Sequence, residues 1–151
     1  MPAQPSLLLV NGPNLNRLGS REPAIYGTET LSDIVARVNA VATAHEFLLQ
    51  SFQSNHEGEL IDFIQAHADE AVGLIINPGA LSHYGYSLRD CLADVGITAV
   101  EVHISNVHRR EPFRHQLVLA PVVTGQIVGL GTHGYTLAAE FLLKQYMSPS
   151  S

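Results

Sequence analysis

Short apolar runs that end in polar or glycine-rich turns, each followed by a helical hydrophobic period, recur along this chain. That alternation restricts the fold more than any other feature. Leu7-Leu8-Leu9-Val10 is an unbroken apolar run ending at Asn11, the pattern of a strand covered on both faces. Leu31, Ile34, Val35, Val38 and Val41 then mark one helical face, and Thr30 with Asp33 supplies a capping box at its start. A second strand begins at Phe47-Leu48-Leu49 and runs toward Phe52. Ser54 and Glu57 read as a second capping box, ahead of a helix carrying Leu60, Ile61 and Ile64. Val72 to Ile76 is a third strand, broken by Asn77-Pro78-Gly79, and Leu88, Cys91, Leu92 and Val95 form the next helical face. Ile97 to Val102 and Gln126 to Leu130 complete the strands, with a last helix carrying Leu137, Phe141 and Leu142. Right-handed βαβ units of this kind predict an α/β, flavodoxin-like doubly wound sheet of about five parallel strands with helices on both faces.

Neither an internal repeat nor a linker divides the sequence, so residues 1–151 are expected to form a single domain. Residues 1–5 and 148–151 are expected as flexible tails, and 17–27 as a lid loop over a site. The net charge of −6 over 151 residues argues against an electrostatic nucleic-acid footprint. No leader-like segment opens the chain and no apolar run reaches membrane-spanning length, so a cytoplasmic protein with no membrane anchor is expected. Cys91 is the single cysteine, which excludes a disulfide within the chain and fits a reducing compartment.

The cations are seven arginines and one lysine, Lys144. Five of the arginines fall in two segments: Arg17 and Arg21, then Arg109, Arg110 and Arg114. Paired guanidinium N–H donors suit a small carboxylate ligand, although solvated surface arginines would give the same count.

Ligands in open α/β sheets bind beyond the carboxyl ends of the strands, and the unusual polar residues gather there. The strand ends lead into Asn11-Gly12-Pro13-Asn14, Ser54-Asn55-His56, Asn77, His103-Ile104-Ser105-Asn106 and Gly129-Leu130-Gly131. Arg21, Glu22 and Tyr26 fit two descriptions on spacing alone. One is a turn with an ion pair and a surface tyrosine. The other is a tyrosine whose phenolate is favoured by a neighbouring guanidinium. Glu101 and His103 share a strand face, so they are either a surface pair or a carboxylate that orients and charges an imidazole acid. Free backbone N–H groups at Ile104 and Ser105, with the Ser105 hydroxyl, would suit an anion.

Eight histidines raise the question of a metal, but no HExxH, CxxC or compact His/carboxylate triad is present, so no metal site is expected. No G-x-S-x-G elbow or P-loop occurs. Gly129-Leu130-Gly131-Thr132-His133-Gly134 matches G-x-G-x-x-G in letters but follows the last strand, where a dinucleotide fold does not use it.

Several of these segments together resemble the type II 3-dehydroquinate dehydratases: Asn11 to Leu15, Arg21-Glu22-Pro23, Tyr26-Gly27, Ser54 to Gly58, Asn77 to Ala80, Glu101 to Asn106, Arg110 to Arg114 and Gly129 to Gly131. The similarity runs from about Leu7 to Leu143. The resemblance implies a cofactor-free hydro-lyase of the shikimate/quinate pathway, which converts 3-dehydroquinate to 3-dehydroshikimate by anti elimination through an enolate. It implies Tyr26 as base, Arg21 as the group holding Tyr26 as phenolate, and Asn14 as holder of a water that stabilises the enolate oxygen. His103 would be the acid and Glu101 its orienting partner. Asn77, Ile104 and Ser105 would bind the substrate carboxylate and neighbouring hydroxyl, and His83 and Arg114 the ring hydroxyls. Arg110 would sit near the lid, and Asp90 would reach an adjacent subunit's site. The implied assembly is a homododecamer, a tetramer of trimers. Tyr84-Gly85-Tyr86 and Gln116 depart from the family's common pattern and leave the proposed catalytic set intact. A non-catalytic flavodoxin-like module that binds a small carboxylate is the alternative from a different class. With Lys144 alone, placed on the final helix, imine chemistry is not expected.

Overall fold

The computed structural model describes residues 4–20 and 23–148, without the side chains of Ile25 and Tyr26. The strands are β1 (Ser6–Asn11), β2 (Leu48–Gln53), β3 (Ala71–Asn77), β4 (Ala99–His103) and β5 (Gly125–Val128). The helices are α1 (Pro23–Tyr26), α2 (Leu31–Ala44), α3 (Glu57–His67), α4 (Tyr86–Val95) and α5 (His133–Met147). All four strand pairings are parallel, in the order β2-β1-β3-β4-β5. This is the flavodoxin-like doubly wound order, and it reverses direction between β1 and β3.

The continuous apolar run of β1 follows from its central place. Leu7 and Leu9 enter the core layer shared with α2 and α5, while Leu8 and Val10 enter the layer shared with α3 and α4. All four are fully buried, and each such side chain contributes roughly 1.5–3 kcal/mol of hydrophobic stabilisation. The register sets Asn11 between Gln53 and Asn77, so three polar side chains stand abreast where the apolar run ends.

The capping box of α2 forms: Asp33 N–H donates to Thr30 Oγ1 at 3.1 Å, and Thr30 N–H to Asp33 Oδ2 at 3.0 Å. The box expected from Ser54 and Glu57 does not form. His56 is the N-cap of α3, Ser54 Oγ donates to the Glu59 carboxylate, and Glu57 Oε2 accepts from Leu88 N–H at 2.9 Å, capping α4 instead. Packing of α3 against α4 brings Glu57 to orphan donors of the neighbouring helix.

The buried face of α5 is also rotated from the expected one. Gly134, Tyr135, Ala138, Ala139, Leu142 and Leu143 are buried, whereas Leu137 is half-buried and Phe141 is 44% exposed. Small residues let the helix lie close to the sheet. A Cβ on Gly134 would sit 3.2 Å from both Ile127 and Val102 methyls. Two strands are also displaced from the limits the sequence pattern predicts: β4 runs on to His103, one residue past Val102, and β5 begins at Gly125, one residue before Gln126. β4 starts at Ala99, two residues after Ile97, and β5 stops at Val128 because Gly129 turns to φ +86°. Within the expected N-terminal tail, Gln4 donates to the Glu46 carbonyl and the Pro5 carbonyl accepts from Leu48 N–H.

Candidate active site

The cleft sits at the carboxyl ends of β1, β3 and β4, at the reversal of strand order. Two loops interlock to form its floor. Gly12 N–H donates to the Asn77 carbonyl at 2.8 Å, and a Cβ on Gly12 would lie 2.5 Å from the Pro78 carbonyl oxygen. Only glycine permits that approach. Asn14 follows in the left-handed region at φ 73°, a conformation asparagine tolerates. Its N–H donates to Asn55 Oδ1 at 2.9 Å, and Gln53 Nε2 braces both Asn55 Oδ1 and the Gly12 carbonyl. The Ser54-Asn55-His56 turn therefore sets the conformation of Asn14.

Glu101 and His103 point to one face of β4, as the period-two argument predicts. Glu101 is fully buried and its Oε2 lies 2.7 Å from His103 Nε2. Ser82 Oγ donates to the same carboxylate oxygen and lies 3.0 Å from His103 Nε2, and Gln126 Nε2 donates to Glu101 Oε1 at 2.7 Å. Burial pushes the Glu101 carboxyl up, but the His103 hydrogen bond and charge, with the Ser82 and Gln126 bonds, outweigh it and hold the group below its ordinary range. A buried carboxylate that accepts from three sides stays ionised and fixes the imidazole with Nε2–H inward. No hydrogen bond to Nδ1 is present among the described residues, and no buried side-chain nitrogen or oxygen among them lacks a partner. Nδ1 is thus open to the cleft that His103 lines.

Beyond His103 the strand stops, and the Ile104 and Ser105 N–H groups donate no hydrogen bond among the described residues. Arg110 Nη1 donates to Ser105 Oγ at 3.1 Å, and Arg114 Nε pairs with Glu111 Oε1 at 2.9 Å. His83 Nδ1 donates to the Gln116 carbonyl at 2.9 Å, which leaves Nε2 as the acceptor of a neutral ring. Burial, reinforced by the charges of His103 and Arg114, lowers the His83 pKa despite that bond and the opposing charge of Glu101. The contact uses the backbone of Gln116, so the side-chain departure there does not alter it. Tyr84 and Tyr86, the other departures, are exposed at 59% and 57%.

Asn14, Asn77, His83, His103, Ile104, Ser105, Arg110 and Arg114 therefore line one cleft, with Glu101 directly behind His103. Asp90 does not join them; it lies exposed on α4. Arg21 lies outside the described residues, as does the side chain of Tyr26, whose backbone ends α1. Reading the sequence missed Ser82, Gln126 and Tyr135. Ser82 carried no signal beyond its place beside His83, and Tyr135 fits the apolar face of a helix. Among the described residues no group of three or more His, Cys, Asp or Glu is placed to hold a metal ion, and no helix is long and apolar enough to cross a membrane.

The family model described as Dehydroquinase class II matches residues 5–143. A 3-dehydroquinate dehydratase of Bacillus subtilis (strain 168) is 53% identical over 141 residues, covering 93% of this chain and 95% of its own. A catabolic 3-dehydroquinase of Penicillium rubens is 50% identical over 135 residues, covering 89% and 87% respectively. The crystal structure of the type II dehydroquinase from Butyrivibrio crossotus DSM 2876 superposes with a TM-score of 0.89 at 48% identity, covering 92% of this chain and 97% of that one. Sequence, fold and the placement of polar residues at the strand-order reversal agree, and the chain belongs to the class II dehydroquinase family.

Proposed function

We propose that this chain, as a single catalytic domain, is a hydro-lyase that dehydrates 3-dehydroquinate to 3-dehydroshikimate by anti elimination through an enolate. One observation carries the reading: an imidazole nitrogen backed by a buried carboxylate opens into the same cleft as two unused backbone N–H groups and two arginines. This supports a reading in which a proton donor acts beside an anion cradle, as elimination of water from a hydroxylated carboxylate requires.

In this reading the Ile104 and Ser105 N–H groups, the Ser105 hydroxyl and Asn77 hold the substrate carboxylate and the hydroxyl beside it. His83 Nε2 accepts from a ring hydroxyl, and Arg114 donates to another. Tyr26, kept as phenolate by Arg21, removes the C2 proton, and the C2–H electron pair moves into the enolate. A water held by Asn14 stabilises the enolate oxygen. His103, oriented by Glu101, gives an Nδ1 proton to the C1 hydroxyl as the C–O bond breaks, and the enolate collapses to the conjugated enone with release of water. The Tyr26 and Arg21 roles and the lid over 17–27 are carried by motif, with Arg110 placed at the lid. Lys144 supports this route against an imine: it is exposed and eleven residues into α5, about 17 Å of helical rise beyond His133. We also infer a cytoplasmic homododecamer built from trimers, in which Asp90 reaches the site of an adjacent subunit.

The test is a turnover assay on EDTA-treated protein, following the ultraviolet absorbance of the enone with and without borohydride. Growth of the band, insensitive to both reagents, is expected. A folded, assembled protein that binds 3-dehydroquinate without forming the band would reject the reading and leave a binding module.

A further inference from the structure

A tyrosine with no part in the chemistry above joins the polar ends of β1 and β3. Tyr135, in the first turn of α5, is fully buried. Its hydroxyl donates to Asn11 Oδ1 at 2.7 Å and accepts from Asn77 Nδ2 at 2.8 Å. A hydroxyl buried in an apolar layer costs free energy unless its bonds are made, and here its one proton and one of its lone pairs are both used. Burial pushes this phenol far above the ordinary tyrosine range, with the Asn77 bond offsetting only part of the shift. The group is therefore a neutral hydroxyl whose proton is committed to Asn11.

The consequence falls on Asn77. Its Oδ1 accepts from Gly79 N–H at 3.1 Å, and one Nδ2 hydrogen goes to Tyr135. An amide turned by 180° would set its oxygen against the Tyr135 lone pairs and its NH2 against the Gly79 N–H, two repulsive contacts. The remaining Nδ2 hydrogen is the amide donor left for the cleft that Asn77 lines. We infer that Tyr135 is a positioning residue that locks the Asn77 amide with an N–H donor, not a carbonyl acceptor, available to the ligand, and so favours a carboxylate there. This rests on the dehydratase reading for the identity of the carboxylate.

The experiment compares wild type, Tyr135→Phe, Asn77→Ala and the double variant. KM and kcat are measured with 3-dehydroquinate, and Kd by calorimetry with quinate, which keeps the carboxylate but lacks the ketone that drives elimination. Thermal midpoints are recorded in parallel. Tyr135→Phe should raise KM and the quinate Kd by about tenfold, with kcat changed much less. Added to Asn77→Ala it should change the quinate Kd no further, because its effect runs through Asn77. A lower midpoint with unchanged KM and Kd, or full additivity in the double variant, would overturn the inference and leave Tyr135 as core filling. If Tyr135→Phe does not fold, Asn11→Ala tests the same chain of bonds. It frees the Tyr135 proton to turn toward Asn77 and should raise the quinate Kd; an unchanged Kd would overturn the inference. A wild type that binds quinate, loses affinity on Tyr135→Phe, yet never forms the enone would sink the dehydratase reading and support the Tyr135 assignment.

Discussion

Ser82 shows how much one small side chain can decide at the residue scale. It is fully buried and touches both Glu101 and His103, yet it does not line the cleft. Ser82→Ala should therefore lower kcat by roughly tenfold, the usual consequence of losing a hydrogen bond to a charged group, with KM little changed. Ser82→Thr should restore most of the rate, and an unchanged kcat in Ser82→Ala would remove Ser82 from the dyad. Glu101 also links the site to stability. Its folded pKa is held below the unfolded value, so its contribution is fully present above the unfolded carboxylate pKa of about 4.3 and is lost as pH falls through the lower folded value. Melting followed from neutral to acid pH should show this loss in wild type and a shallower acid decline in Glu101→Gln. An identical acid slope in both would mean that the network adds nothing. His83, lowered mainly by burial, has the same sign and adds a loss beginning below its unfolded value of roughly 6.5.

At the scale of elements, the cross-helix cap and the interlocked loops are the exposed points of the design. Glu57→Ala removes the acceptor at Leu88 N–H and should cost about 1 kcal/mol, within the range for helix caps. Urea unfolding would detect it, and no loss would mean that solvent replaces the cap. Gly12→Ala is more severe, since the added methyl meets backbone at 2.5 Å. It should force the Pro13 and Pro78 loops apart and reduce both stability and turnover. Such a conflict is absent at Gly58, where a Cβ would meet nothing within 4 Å. The α2 capping box was readable because both partners lie three residues apart in sequence. The partner of Glu57 lies thirty-one residues away, and no local pattern encodes it.

At the scale of the whole molecule, the doubly wound order brings loops from distant parts of the chain to one edge. Assembly is the remaining level. Twelve 16.3-kDa chains should sediment as one particle at micromolar concentration, and Asp90→Ala should lower turnover without disturbing a monomer's melting. A monomer with full activity would reject both the dodecamer and the Asp90 role.

The sequence alone determined the strand–helix alternation, the polar strand ends and the shared strand face of Glu101 and His103, because each follows from local periods of two or 3.6 residues; that the two form a buried pair was decided by the tertiary structure. The family resemblance assigned roles to eight of the residues that line the cleft. Only the tertiary structure decided that Ser82 and Gln126 complete the Glu101 network, that Glu57 caps a neighbouring helix, that α5 packs through small residues, and that Tyr135 bridges Asn11 and Asn77. Those contacts join residues 19 to 124 positions apart. They exist because helices crossing a parallel sheet bring such positions within hydrogen-bond reach, and that closeness leaves no period in the sequence.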